Sequence, residues 1–229
     1  MRGYIAPSIL ASNFLRLEEE VIMLNESEAD WFHLDIMDGR FVPPISFGHD
    51  IVRAINQVAL KPLDVHLMIA NPENFIEDFR TAGADNITVH WGACPHLHRV
   101  ISHIKDVGAR AGVAINPHIP IHFLADIINH VDQVCLMSVN PGYGGQKFIE
   151  HTYVKLAELK KLIVDSESNA RIEVDGGVSI QNAAKLFSLG ADILVAGTSV
   201  FHSNDPKESI KTIRDAAKPY VPKPAAQLS

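Results

Sequence analysis

His33 and Asp35 stand two apart in the segment Trp31-Phe32-His33-Leu34-Asp35-Ile36-Met37, and His66 and Asp175 sit in two similar segments, 62–68 and 171–177. A fourth segment, 6–10, carries Ser8. The first three are strand-like in composition, and their polar residues fall just before loops marked by glycine or proline. Residues two apart on a strand point to the same face. Gathered at one end of a sheet, two imidazoles and two carboxylates make a mixed nitrogen and oxygen site for one divalent cation. Such a site keeps an open position for substrate oxygens, and its carboxylates can move protons. A single strand-end histidine is more simply a hydrogen-bonded core residue. For the four together the metal site is the better explanation, because each would otherwise need its own buried partner.

Glycine is the second chemical signal. It recurs in Asn140-Pro141-Gly142-Tyr143-Gly144-Gly145-Gln146, in Gly176-Gly177, and in Ala196-Gly197-Thr198-Ser199-Val200. Glycine lets backbone N–H groups approach an anion, and a helix opening after such a turn favours negative charge. One such turn merely redirects the chain; three at one edge favour a phosphate. No lysine or arginine accompanies them, so neutral backbone donors must carry the anion. Met37, Met68 and Met137 also fall at strand ends. There they either dehydrate a reacting carbon or fill the core.

These residues need a scaffold that brings many strand ends together. Apolar, β-branched runs occur at 4–10, 31–36, 63–68, 86–90, 111–116, 133–139, 171–175 and 193–197. Helical periodicity fills the gaps at 14–25, 49–58, 72–82, 96–107, 121–129, 148–164, 180–189 and 206–217. In the first helix, Phe14, Leu17, Val21 and Leu24 share a face. Asn71 before Pro72 reads as a cap with proline at the first helical position, and Gly83 and Gly190 as helix stops. Eight strand–helix units predict an α/β fold, a (β/α)8 TIM barrel in a single domain over 1–217. The rival is an open doubly wound sheet. It fits less well, because no Gly-x-Gly-x-x-Gly follows the first strand and the polar residues are spread over many strand ends. Residues 218–229, with Pro219, Pro222 and Pro224, read as a tail outside the barrel. In such a barrel the site lies at the C-terminal strand ends, here Ser8, His33, Asp35, His66, His90, Asn116, Met137, Asp175 and Gly197-Thr198.

The totals narrow the partners. With 229 residues, 47% hydrophobic and 21% charged, the chain is globular. No run approaches the roughly 18 apolar residues of a membrane span. A formal charge of −7 argues against nucleic acid, whose phosphates need a basic face. Two cysteines, Cys94 and Cys135, make no disulfide framework, and no signal peptide is read, so a cytoplasmic location is expected. Tyr4, Trp31 and Phe32 are expected to pack. His96, His98, His103, His118, His122, His130, His151 and His202 are expected on the solvated surface.

Segments 6–11, 33–47, 63–68, 137–148 and 172–178 resemble the signature segments of the ribulose-phosphate 3-epimerases, and the resemblance extends over about residues 4–215. It implies a (β/α)8 barrel that interconverts D-ribulose 5-phosphate and D-xylulose 5-phosphate with one divalent metal (Zn, Fe(II), Mn or Co), no organic cofactor, and a homo-oligomer. By position it places metal ligands at His33, Asp35, His66 and Asp175, the proton acceptor at Asp35 and the donor at Asp175. It places substrate contacts at Ser8, His66, Gly142, Tyr143, Gly144, Gly145, Asp175, Gly176, Gly177, Gly197 and Thr198. Pro44 stands where the family usually has asparagine, and Trp91-Gly92 replaces a short acidic stretch. Such a site removes the weakly acidic carbon 3 proton to give an enediolate and returns a proton on the opposite face. Two other functions use the same residues: an epimerase of a six-carbon ketose phosphate such as D-allulose 6-phosphate, and a non-catalytic sugar-phosphate sensor. The second has no need of two proton-transferring aspartates.

Overall fold

The computed structural model describes residues 3–217; the expected tail, 218–229, lies outside them. Eight strands run parallel: β1 (Tyr4–Pro7), β2 (Phe32–Met37), β3 (Leu63–Met68), β4 (Asn86–His90), β5 (Arg110–Ile115), β6 (Gln133–Met137), β7 (Arg171–Asp175) and β8 (Ile193–Ala196). Their order is β1-β8-β7-β6-β5-β4-β3-β2. The ring closes where Ser8 bridges His33 in parallel and Asp30 N donates to Ile5 O at 2.8 Å. The chain therefore folds as a (β/α)8 barrel, and the open sheet is excluded.

Helices α1 (Leu17–Asn25), α2 (His49–Asn56), α3 (Ile76–Ala82), α4 (Leu97–Asp106), α5 (Thr152–Asp165), α6 (Ile180–Ser188) and α8 (Pro206–Asp215) follow the strands, with a short α7 (Thr198–Phe201) directly after β8. Strand residues on the outer face, such as Leu34, Val65, Leu67, Ile87, Val113, Leu136, Ile172 and Leu194, are buried in one large core with helix residues Val21, Val52, Ile76, Ile104, Leu159 and Leu186. Burying each such side chain stabilises the fold by about 1.5–3 kcal/mol. A smaller apolar cluster of Ala6, Trp31, Ile193 and Val195, with Tyr4 stacked on Trp31 at 5.9 Å, lies inside the barrel.

In three of the predicted helices part of the segment is wound as a 3₁₀ turn instead, and the helix predicted at 148–164 starts only at Thr152. Asn13 accepts from Leu15 N and starts a 3₁₀ turn, Phe14–Arg16; Arg16 then leaves helical geometry before α1 begins. Val21 and Leu24 are buried, whereas Phe14 packs against Phe47 and not on that face. Asn71 does precede a proline-led turn, but its side chain makes no capping bond. The turn is 3₁₀ (Pro72–Asn74), and α3 begins only at Ile76. The segment predicted as helix at 121–129 is a 3₁₀ turn, Ile121–Leu124, followed by further turns. Its apolar residues Ile121, Leu124, Ile127 and Ile128 are nevertheless buried. The burial periodicity was legible; the 3₁₀ winding in place of an α-helix was not. Gly83, with φ 115°, ends α3 as expected. Among the described residues no helix is long and apolar enough to cross a membrane, and Cys94 and Cys135 are free and buried.

Candidate active site and metal centre

Strand alternation turns His33, Asp35 and Met37 of β2, Asp64, His66 and Met68 of β3, and Glu173 and Asp175 of β7 to one side of the barrel wall. The parallel register places Asp35 beside His66 and His33 beside Asp64. One ligand atom each from His33, Asp35, His66 and Asp175 lies within 4.8 Å of all the others. His33 Nε2 is 3.3 Å from Asp35 Oδ1 and 3.9 Å from Asp175 Oδ2; His66 Nδ1 is 3.3 and 3.5 Å from the same two oxygens. Both nitrogens are buried and make no hydrogen bond. Two lone pairs and two carboxylate oxygens thus converge on one point, and a divalent cation would satisfy all four.

Neighbouring side chains fix which nitrogen of each ring faces that point. His33 Nδ1 donates to Asp64 Oδ2 at 2.7 Å, which leaves Nε2 towards the cluster. His66 Nε2 and His90 Nε2 are 2.8 Å apart. Burial and the adjacent His66 hold His90 well below the usual histidine range. With His66 Nδ1 turned to the cluster as a candidate ligand, the ring proton of His66 sits on Nε2 and is donated to His90. Burial opposes charge on His33 as well, but Asp35 and Asp64 outweigh it and hold the ring well above its usual range. His66 is raised in the same way, with Asp175 and Asp35 overcoming burial. Burial would raise Asp35, yet the two imidazoles bring it below the usual carboxylate range. A field that holds protons on two imidazoles is one that would hold a cation in their place. Near Asp64 and His33 lies Glu173, fully buried and pushed well above its usual range by burial and by Asp64's charge.

Asp64, Glu173 and His90 were not given roles by sequence reasoning. The signal was present: Asp64 and Glu173 each precede a candidate ligand by two residues, and so share its face. A carboxylate bonded to the far nitrogen of a liganding imidazole fixes its tautomer, and losing it typically costs 10–100-fold in metal affinity. Asp64→Asn is therefore expected to weaken metal binding by roughly that factor. Competitive chelation monitored by elemental analysis measures it; unchanged affinity would mean that Asp64 does not orient His33.

Above the cluster opens a cavity of about 870 Å³. Ser8, Asp35, Gly142, Tyr143, Gly144, Gly145, Asp175, Gly176, Gly177, Gly197 and Thr198 all line it, and so do Met37, Met68 and Met137. Among the described residues no lysine or arginine does. Ser8 Oγ donates to Asp35 Oδ2 at 2.5 Å and fixes that carboxylate. His66, expected also to touch substrate, is fully buried and does not reach the cavity wall. His202, assigned to the solvated surface, is exposed but lines the mouth, because α7 turns it back towards Thr198. Gln146 Nε2 donates to Asn140 O and Tyr143 O, bracing the glycine-rich loop. Pro44 packs near Gly142, and Trp91 stacks on Phe123 with centroids 5.2 Å apart; neither lines the cavity.

The glycines at the mouth differ in why they must be glycine. Gly177 has φ +61°, and a Cβ there would lie 2.8 Å from Phe148 N, so a side chain is strained and crowded. Gly197 has an ordinary φ, and its Cβ would meet Ala11 and Ser8 at 3.4 and 3.6 Å, in van der Waals contact beside the cavity. Gly177→Val is expected to lower Tm by roughly 5–10 °C, at about 2–4 °C per kcal/mol for a chain of this size. Gly197→Val is expected to lower Tm less than Gly177→Val and to raise KM for a phosphorylated substrate by at least about ten-fold, by filling space beside the turns expected to bind the anion. An unchanged KM for Gly197→Val would place the phosphate elsewhere.

An eight-stranded parallel barrel with a buried His/Asp cluster under a cavity at its C-terminal strand ends is the architecture of a barrel enzyme with a candidate metal centre. The family model described as ribulose-phosphate 3 epimerase family matches residues 4–201. The chain is 46% identical over 217 residues to the chloroplastic ribulose-5-phosphate-3-epimerase of Arabidopsis thaliana, covering 94% of this chain and 77% of that one. It is 46% identical over 211 residues to the ribulose-phosphate 3-epimerase of Bacillus subtilis, covering 92% and 97%. Among solved structures, KGPDC from Streptococcus mutans superposes with a TM-score of 0.70 at 17% identity, over 96% of this chain and 99% of that one, a likeness of fold alone. This chain belongs to the ribulose-phosphate 3 epimerase family.

Proposed function

We propose that this protein inverts carbon 3 of D-ribulose 5-phosphate to give D-xylulose 5-phosphate, and the reverse, with His33, Asp35, His66 and Asp175 holding one divalent cation. The observation that carries the reading is the placement of two carboxylates at the floor of one cavity. Asp35 lies two residues before the end of β2 and Asp175 ends β7, separated around the ring by β1 and β8. When bound, the cation supplies Lewis-acid stabilisation of the negative charge that develops on substrate oxygen. Asp35, ionised beside two imidazoles and held by Ser8, is placed to take the carbon 3 proton from one face of the substrate. Asp175 faces the substrate from across the floor and returns a proton to the other face. Met37, Met68 and Met137 exclude water from the reacting carbon, which strengthens every charge interaction there. The phosphate lies against the backbone N–H groups of the turns at Gly142–Gly145, Gly176-Gly177 and Gly197-Thr198.

The test follows the sugar by proton NMR in deuterium oxide. Xylulose 5-phosphate is expected to appear with one solvent deuteron at carbon 3 and none at carbon 1. D-allulose 6-phosphate is expected to turn over with a lower kcat/KM than the five-carbon sugar. A higher kcat/KM on the six-carbon sugar would reassign the substrate. Binding without turnover of either would make the protein a sensor.

A further inference from the structure

The barrel has a second cavity at its opposite end, about 220 Å³ in volume, whose wall includes Trp31, Asn86, Arg110, Asp132, Gln133 and Arg171. Asn86, Arg110, Gln133 and Arg171 are the first residues of β4, β5, β6 and β7. The register sets Asn86 beside Arg110 and Gln133 beside Arg171. The pocket therefore lies at the N-terminal strand ends, away from the cluster of His33, Asp35, His66 and Asp175.

Its charge is unbalanced. The guanidiniums of Arg110 and Arg171 both lie over the Trp31 ring, at 5.9 and 5.8 Å from its centroid, and Arg171 also lies 4.9 Å from that of Tyr4. Among the described residues neither forms an ion pair. The one carboxylate on the wall, Asp132, is already engaged: it accepts from Ala111 N at 2.9 Å and from Lys105 Nζ at 3.2 Å. Gln133 is 2% exposed, and its Nε2 has no hydrogen-bond partner. Asn86 Oδ1 is equally buried and unpartnered, while its Nδ2 donates to Asp64.

A buried amide donor without an acceptor is costly. Water can satisfy it, but Arg110 is exposed and Arg171 half-buried, so the two guanidiniums gathered on one aromatic face also stay open to an anion arriving from solvent. Two planar guanidinium forks and one amide N–H match an oxyanion, which they can hold bidentately. The unpartnered Asn86 oxygen requires a donor, so the occupant also carries a hydroxyl. We propose that this pocket binds a phosphate-type oxyanion bearing a hydroxyl, either inorganic phosphate or the phosphate end of a small phosphorylated polyol. The two ends of the barrel then hold phosphate by different chemistry. The catalytic mouth offers neutral backbone N–H groups, and this pocket offers paired arginines.

The chain has two tryptophans, Trp31 and Trp91. In a Trp91→Phe background Trp31 is the only one left and reports on the pocket. Titration with inorganic phosphate, at ionic strength held constant with chloride, is expected to give a saturable change in Trp31 emission. Arg110→Gln with Arg171→Gln is expected to weaken that response at least about 100-fold, and Gln133→Leu by about ten-fold. The Gln133 variant keeps both arginines, and circular dichroism checks the fold of each. Phosphate bound only at the catalytic mouth would leave Trp31 unmoved. Absence of a saturable Trp31 response, or a response unchanged in the double arginine variant, overturns the proposal. Parallel titration with D-ribose 5-phosphate separates the sources. Binding at least ten-fold tighter than inorganic phosphate assigns the site to a sugar phosphate, and equal or weaker binding assigns it to free phosphate; either supports the oxyanion pocket.

Discussion

Protein stripped of metal by a strong chelator is expected to lose at least about 10³-fold in kcat/KM, and a divalent ion added back is expected to restore it. The size follows from the role. Lewis-acid stabilisation is worth several kcal/mol, and each 1.36 kcal/mol is ten-fold in rate. The structure gives the binding a pH dependence of definite sign. Asp35, Asp64 and Asp175 hold His33 and His66 above the ordinary histidine range, so the metal-free protein carries protons where the cation would bind. Those protons must leave for the ring nitrogens to act as ligands. Apparent metal affinity is therefore expected to rise with pH until both imidazoles are neutral, and binding is expected to release protons to the buffer. Elemental analysis at several pH values measures the first effect, and calorimetry in buffers of different ionisation enthalpy measures the second. Full turnover by protein verified as metal-free would end the metal-assisted mechanism.

The parts of this protein most legible in sequence were those where two physical signals coincide. β3, β4 and β7 have the predicted boundaries; in β4 and β7 apolar alternation runs directly into a polar residue at a loop. The four cluster residues were visible as polar residues at strand ends, and register alone then brings His66 beside Asp35. Less legible was whatever depends on how the inside of the barrel is filled. Asp64 and Glu173 read as ordinary polar positions in alternating strands, although both are fully buried. Only closure of the barrel turns Asp64 onto His33 and leaves Glu173 without solvent. His90 needed the neighbouring His66 to acquire a role. At 121–129 the apolar spacing reports which residues are buried but not how they are wound: the segment is a 3₁₀ turn, although β3–β4 and β7–β8 span the same number of residues with α-helices. The glycines were correctly gathered at the mouth, but their reasons differ. Gly177 is required by its backbone, Gly197 by the space beside it.

Replacing either floor aspartate by asparagine is expected to lower epimerisation by about 10²–10⁴-fold in both directions, because in the proposed mechanism every turnover uses one group to remove a proton and the other to return one. The two variants are expected to differ in what they still do. Asp175→Asn retains Asp35, whose Oδ2 is held by Ser8. It can still remove the carbon 3 proton from the epimer whose proton faces it, and can return only to the same face. Solvent deuterium should then enter that one epimer slowly, without conversion to the other. Asp35→Asn retains Asp175 and should favour exchange into the opposite epimer. Each residue is also a proposed ligand, so metal content must be measured in both variants; loss of the ion would imitate loss of the base. After removal of the metal, the neighbouring imidazoles of the two variants add an internal control. Asparagine at either position removes a negative charge that raises His66, so its pKa should fall in both variants, whereas only Asp35→Asn should also lower His33 through a direct neighbour at 3.3 Å. Should both variants keep their metal and exchange deuterium into the same epimer at equal rates, a single base serves both faces and the assignment of Asp35 and Asp175 to opposite faces is wrong.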